Sequence, residues 1–236
     1  MLLTLDELEK SQDVTYLALK DDFFVFPEGE HSSERFGLRL KAQQRIDDIV
    51  MFHRYVTTVY ESNKVQYEPV YKKFNEHYAH MFDEISEEKK HLARMSFPNF
   101  NWKEEQEQVR AISNESLIIN LWATIEQFTN RTAKLVNPEG NSSHHWNVVK
   151  QSLSNFGIDV TAISSYSSIN ELRVVNNKIK HLYYVDEQLS QFESFNGCQG
   201  QSLNSINFEL QRYISSSYHF LIALINLVGE SIYYPE

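Results

Sequence analysis

Apolar side chains recur along most of the chain at a spacing close to 3.6 residues, the signature of helices with one buried face. Leu38, Ala42, Ile46, Ile49, Phe52/His53, Val56 and Tyr60 predict a helix over about 38–61. Val70, Phe74, Tyr78, Met81, Ile85 and Leu92 predict a second over about 65–95, with Pro69 in its first turns, where a missing N–H costs little. Glu61-Ser-Asn-Lys64 is the expected connection, which makes the two an antiparallel pair. A polar helical bridge over about 103–110 follows, and Ser113-Asn-Glu-Ser116 supplies capping residues for the next helix. That helix carries Leu117/Ile118, Leu121/Trp122, Ile125, Phe128, Thr132 and Leu135 on one face, and Asn137-Pro-Glu-Gly140 stops it. Shorter patterns predict helices over about 143–156 (ending at Gly157), 168–189 and 201–230, with Asn196-Gly-Cys-Gln-Gly200 as the clearest loop. In the 168–189 helix, Ile169, Leu172, Val175/Asn176, Ile179 and Leu182/Tyr183 are the expected inward positions. Only the first 40 residues lack helical regularity. There Val14–Lys20 and Phe23–Phe26 carry strand-like residues that either pair as a small hairpin or wrap over helices.

These patterns predict an all-α protein with two parts. Residues 1–111 hold an irregular segment and the long helical pair; residues 112–236 form a four-helix bundle. Composition agrees. Seven Gly and five Pro in 236 residues are too few to punctuate an all-β fold. The longest apolar run, Phe220–Val228, is interrupted by Asn226 and is far short of the roughly 20 residues a spanning helix needs, so no membrane partner is expected. The start, Met1-Leu-Leu-Thr-Leu-Asp-Glu, has no basic region of the kind that opens a secretory signal. One cysteine, Cys198, allows no internal disulfide and suits a reducing compartment, so the expected location is cytoplasmic. The formal net charge of −10 discourages nonspecific binding to nucleic acid or anionic lipid.

Chemistry is sparse by elimination. The chain has no glycine-rich phosphate loop, no Cys-x-x-Cys pair and no Gly-x-Ser-x-Gly, and it implies no cofactor. His77, His80 and Glu84 share a helical stripe, but a solvated face explains them as simply, and no metal is expected. One segment departs from the acidic background: Glu171-Leu-Arg-Val-Val-Asn-Asn-Lys-Ile-Lys-His181. On a helix, Arg173, Asn177 and His181 fall four apart on one stripe, with Lys180 and Tyr184 beside it. Histidine exchanges protons near neutral pH, and the planar guanidinium of arginine braces a phosphate with several donors. Attack of an RNA 2′-hydroxyl on its own phosphodiester needs both services and no metal. The same spacing also describes an ordinary solvated face with contacts among Glu171, Arg173 and Lys180.

Two stretches resemble the HEPN domain, a helical family of prokaryotic toxins, antiviral nucleases and nucleotide-binding proteins, over about 115–235. Glu115-Ser-Leu-Ile-Ile-Asn-Leu-Trp-Ala-Thr-Ile-Glu126-Gln-Phe128 is similar to the family's opening helix, and Glu171–His181 to its signature helix, often written RNxxxH. Aligned on His181, the chain has Asn177 at the Asn and Asn176 at the Arg, with Arg173 one turn earlier. The resemblance implies a metal-independent RNA endonuclease of a toxin or antiphage-defence type. His181 would be general acid/base, Arg173 the phosphate brace and Asn177 the orienting hydrogen-bond partner. Asn176, Lys178, Lys180 and Tyr184 would line the RNA phosphate. It further implies a homodimer with two His181 side chains across a shared cleft, and an antitoxin or defence partner protein. The alternative is a catalytically degenerate helical module that binds a protein partner or a nucleotide.

Overall fold

A computed structural model describes residues 27–29, 31–83, 102–140, 142–143 and 145–233. Among them the chain forms six α-helices: α1 (Ser32–Asp83), α2 (Trp102–Val136), α3 (Trp146–Ser154), α4 (Tyr166–His181), α5 (Glu187–Ser190) and α6 (Leu210–Tyr233). Short 3₁₀ turns at Val160–Ala162, Glu193–Phe195 and Leu203–Ser205 join them. The only β pairing among the described residues is an isolated antiparallel bridge between Tyr184 and Ser202. The protein is all-α, as the periodicity predicts. No described helix is long and apolar enough to cross a membrane.

Two expected boundaries are absent. Glu61-Ser-Asn-Lys64 is not a connection: it lies inside α1, and so does Pro69. The tetrapeptide contains no Gly or Pro, and Ser and Asn each cost a helix only about 0.5 kcal/mol relative to Ala. Polar residues on one short stretch therefore do not end it. Ser113-Asn-Glu-Ser116 likewise lies inside α2 rather than at its start, because the polar bridge before it is the first part of the same helix. The strand-like residues at 14–26 and the predicted helix end at 84–95 fall outside the described residues.

The chain divides into two compact units, and the division differs from the expected one at 111/112. One unit contains residues 52–83 and 102–114; the other contains 27–51 and 115–233. The start of α1 joins the second unit because Ala42, Ile46, Ile49 and Val50 are buried in its core. Leu117, Ile118, Leu121 and Ile125 of α2, Ile169, Leu172 and Val175 of α4, and Phe220, Leu221, Leu224 and Val228 of α6 complete the centre of that core. Each such side chain contributes about 1.5–3 kcal/mol by leaving water. Trp122 and Trp146 are buried and meet edge to face, ring centres 5.2 Å apart.

Arginine also enters this unit. Arg35 is 5% exposed and its Nη2 donates to the Glu28 carbonyl at 2.7 Å. Its guanidinium lies over Gly229 of α6, where a Cβ would come within 1.1 Å of Nη1. Glycine at 229 leaves the room that the planar group fills.

Candidate functional site

α4 carries every residue of the expected site except Tyr184. The apolar positions Ile169, Leu172, Val174 and Val175 turn one face inward, against α6. The helix closes with Lys178, Lys180 and His181 in its last turn, where cations complement the negative end of the helix dipole. Both ends of the inward face are polar, and both are satisfied from later in the chain.

At the first end, Glu171 is 4% exposed. Its Oε1 accepts from Arg212 Nη2 at 2.5 Å and from the Tyr213 hydroxyl at 2.6 Å, both on α6. Arg212 also donates to Glu209 at 2.5 Å, to Ser168 at 3.0 Å and to Ser194 at 2.8 Å. Burial, followed by the Glu171 carboxylate, pushes the Tyr213 phenol well above its ordinary value. At the other end, Lys178 is 9% exposed. Its ammonium donates to Asp186 at 2.6 Å and to Gln188 at 3.1 Å. Asp186 in turn accepts from the Leu189 N–H and caps α5.

The outward edge holds the remaining residues. Asn177, Lys180 and His181 are exposed, and Arg173 is half-buried. Arg173 donates through Nε (3.3 Å) and Nη2 (3.0 Å) to Asn170 Oδ1, one turn towards the helix start. Its guanidinium therefore leans away from His181. The two lie eight positions apart, about 12 Å of helix axis, so they are not brought onto one point. Among the described residues neither Lys180 nor His181 has a side-chain partner.

Two of the expected phosphate contacts are corrected by burial. Lys178 is not on the ridge, because positions 171, 174, 175 and 178 form the inward stripe and Asp186 holds its charge there. Asn176 is 1% exposed; its Nδ2 donates to Asn177 Oδ1 at 3.3 Å, and its buried Oδ1 has no partner. It touches the edge only through Asn177. Leu182 and Tyr183, expected inward, are 44% and 37% exposed. The helix stops at His181 because Tyr183 adopts a left-handed backbone, φ 58°, and its N–H donates to the Lys178 carbonyl at 2.7 Å.

Two residues of this region are absent from the sequence-based site. Asn170 was visible only as the i−3 neighbour of Arg173. Glu115 of α2 accepts the Tyr183 hydroxyl, a pairing across 68 positions that no local spacing reveals. Burial first, then the Glu115 hydrogen bond, pushes the Tyr183 phenol up to about 12. Tyr184 follows, 44% exposed, with its backbone in the bridge to Ser202. Among the described residues no group of three or more His, Cys, Asp or Glu could hold a metal ion; the side chains of His77, His80 and Glu84 lie outside that set. The chain matches no protein-family model, no curated protein and no solved structure.

Proposed function

We propose that the outward edge of α4 handles RNA phosphate, and that the protein is a HEPN-like, metal-independent endoribonuclease of a toxin or antiphage-defence type that works as a homodimer. One observation carries this: Arg173, Asn177, Lys180 and His181 share the solvent side of a single helix whose other faces are buried. In an acidic chain, that edge places two fixed cations and a titratable imidazole in a row. His181 takes the proton of an RNA 2′-hydroxyl; the 2′-oxygen attacks phosphorus, and the 5′-oxygen leaves with a proton from the second His181 or water. The products are a 2′,3′-cyclic phosphate and a 5′-hydroxyl. Arg173, about two turns away, braces a neighbouring phosphate of the same strand rather than the one that reacts, and Asn177 hydrogen-bonds between them.

A second reading, a degenerate module that binds RNA, a nucleotide or a protein partner without cleaving, is favoured by Asn176. The residue at the family's Arg position is neutral and buried. Expression of wild type and His181→Ala in bacteria, with growth and total RNA integrity measured, tests the nuclease. Slow growth and fragmented RNA in the wild type alone support it, as do 5′-hydroxyl products formed in vitro with chelator present. Intact RNA in both strains and in vitro overturns it. RNA bound but not cut marks the second reading.

A further inference from the structure

The segment that leaves α4 shows three large apolar side chains in succession. Leu182, Tyr183 and Tyr184 are 44%, 37% and 44% exposed. This is not a frayed end. The Tyr183 N–H donates to Lys178, the Leu203 N–H to the Tyr183 carbonyl, the Val185 N–H to Gln201 and the Gly200 N–H to Val185. Val185 is fully buried and Lys178 is tied to Asp186 one residue further on. The Tyr183 hydroxyl is fixed by Glu115. Tyr183 is also one of two non-glycine residues with positive φ among those described, a conformation that costs about 1–3 kcal/mol and is kept only where its surroundings hold it. A rigid backbone thus presents apolar rings to solvent directly after Lys180 and His181.

We propose that Leu182–Tyr184 is a base-stacking platform and that the α4 edge takes single-stranded rather than duplex RNA. The proposal rests on the RNA reading above and adds the substrate class. Charge and shape together argue for it. A ligand that complements a row of cations beside exposed rings has an anionic backbone and flat apolar faces. Single-stranded RNA offers both, and a duplex hides its base faces in its own stack. Stacking on Tyr184 tolerates any base, because each has a π face.

Full-length His181→Ala protein provides a background that leaves RNA uncut. In it, Tyr184→Ala, Tyr184→Phe, Leu182→Ser and Arg173→Ala are compared for binding to a labelled oligouridine and to its duplex with oligoadenine, by fluorescence anisotropy. Circular dichroism and sedimentation velocity accompany each variant. The expected result is preference for the single strand, a loss of about tenfold in Tyr184→Ala, retention in Tyr184→Phe and unchanged duplex binding. Unchanged single-strand affinity in both Tyr184→Ala and Leu182→Ser, with a loss in Arg173→Ala, overturns the platform and leaves the RNA reading standing. Failure of every protein, parent included, to bind either RNA overturns both. Dissociation of Tyr184→Ala to a smaller species also overturns the platform, because the rings would then be an interface between copies.

Discussion

Glu171 and Arg212 are the joint between α4 and α6: the carboxylate, 4% exposed, receives the guanidinium at 2.5 Å and the neighbouring Tyr213 hydroxyl at 2.6 Å. Removing the acceptor strands two donors at once. Breaking a fully buried ion pair costs about 3–5 kcal/mol. The Arg212 side chain is 33% exposed and keeps Glu209, so Glu171→Ala should cost less, about 2–3 kcal/mol. Tyr213→Phe removes one donor and leaves Glu171 its arginine, for about 1 kcal/mol. Urea denaturation of the two single variants checks both figures. A loss under 1 kcal/mol in Glu171→Ala would mean the joint is incidental.

The pair at the other end of α4 predicts an acid limb. The Lys178 hydrogen bond holds the Asp186 carboxyl below its ordinary range, with the Leu189 N–H adding to it. A carboxyl whose folded pKa is depressed stabilises the fold above its unfolded value, about 3.9. That contribution is lost as pH falls through the lower, folded value. Asp186→Asn should therefore destabilise the protein at neutral pH and remove part of the fall in stability below about pH 4. Thermal unfolding between pH 7 and pH 2.5 measures the difference. Parallel curves for the two proteins would contradict it.

Neighbouring lysines on α4 should separate stability from binding. Lys178 is buried on Asp186, whereas Lys180 stands on the outward edge. Lys178→Ala leaves Asp186 partly buried without its cation and should cost about 2–3 kcal/mol, with single-strand RNA affinity unchanged in the folded fraction. Lys180→Ala should leave stability within about 0.5 kcal/mol and weaken RNA binding, with a shallower dependence on salt. Melting temperature and anisotropy on the same preparations read both effects.

This contrast marks how far the sequence was legible. The inward faces of α2 and α4 followed the 3.6 period because burial on one side is a local pattern: Leu117, Leu121 and Ile125, then Ile169, Leu172 and Val175, are all buried. The exposed positions of Arg173's stripe, Asn177 and His181, followed from the same geometry. Lys178 did not, because its counter-ion lies eight residues on, past the helix end. A charged residue at an inward register looks like a surface residue until that partner is seen. The end of α4 was hidden for a related reason. Left-handed termination is ordinarily announced by Gly, and here it falls on a tyrosine held by Glu115. The continuity of α1 through 61–64 was missed in the opposite sense, since polar residues suggested a turn where no residue breaks the helix.

Tyr183 offers a test of strain against contact. Tyr183→Phe keeps the left-handed backbone and loses only the hydrogen bond to Glu115, so it should cost about 0.5–1.5 kcal/mol. Tyr183→Gly relieves the backbone by about 1 kcal/mol but loses the ring as well, and should fall close to or below Tyr183→Phe. The phenol is raised to about 12 by burial and Glu115. Its contribution is thus fully present below its unfolded value near 10 and is lost as pH rises through 12. The gap between wild type and Tyr183→Phe should accordingly narrow above pH 10. Denaturation midpoints at pH 7 and pH 11.5 measure it, and a gap that widens would contradict the assignment.

Gly229 supplies the sharpest reversal. Within a helix, Gly→Ala ordinarily stabilises by about 0.8–1 kcal/mol through backbone entropy. At 229 the added methyl would sit 1.1 Å from Arg35 Nη1, and Arg35 is only 5% exposed with its Nη2 committed to the Glu28 carbonyl. Its guanidinium cannot swing aside without losing that bond and the packing of its stem. Gly229→Ala should therefore lower stability by about 1–3 kcal/mol, the ordinary cost of overpacking. In an Arg35→Ala background the obstruction is gone, and the same substitution should turn neutral or stabilising. A double-mutant cycle by urea denaturation reads the sign change directly. Stabilisation by Gly229→Ala in the wild-type background would show that Arg35 does not occupy the space above the glycine.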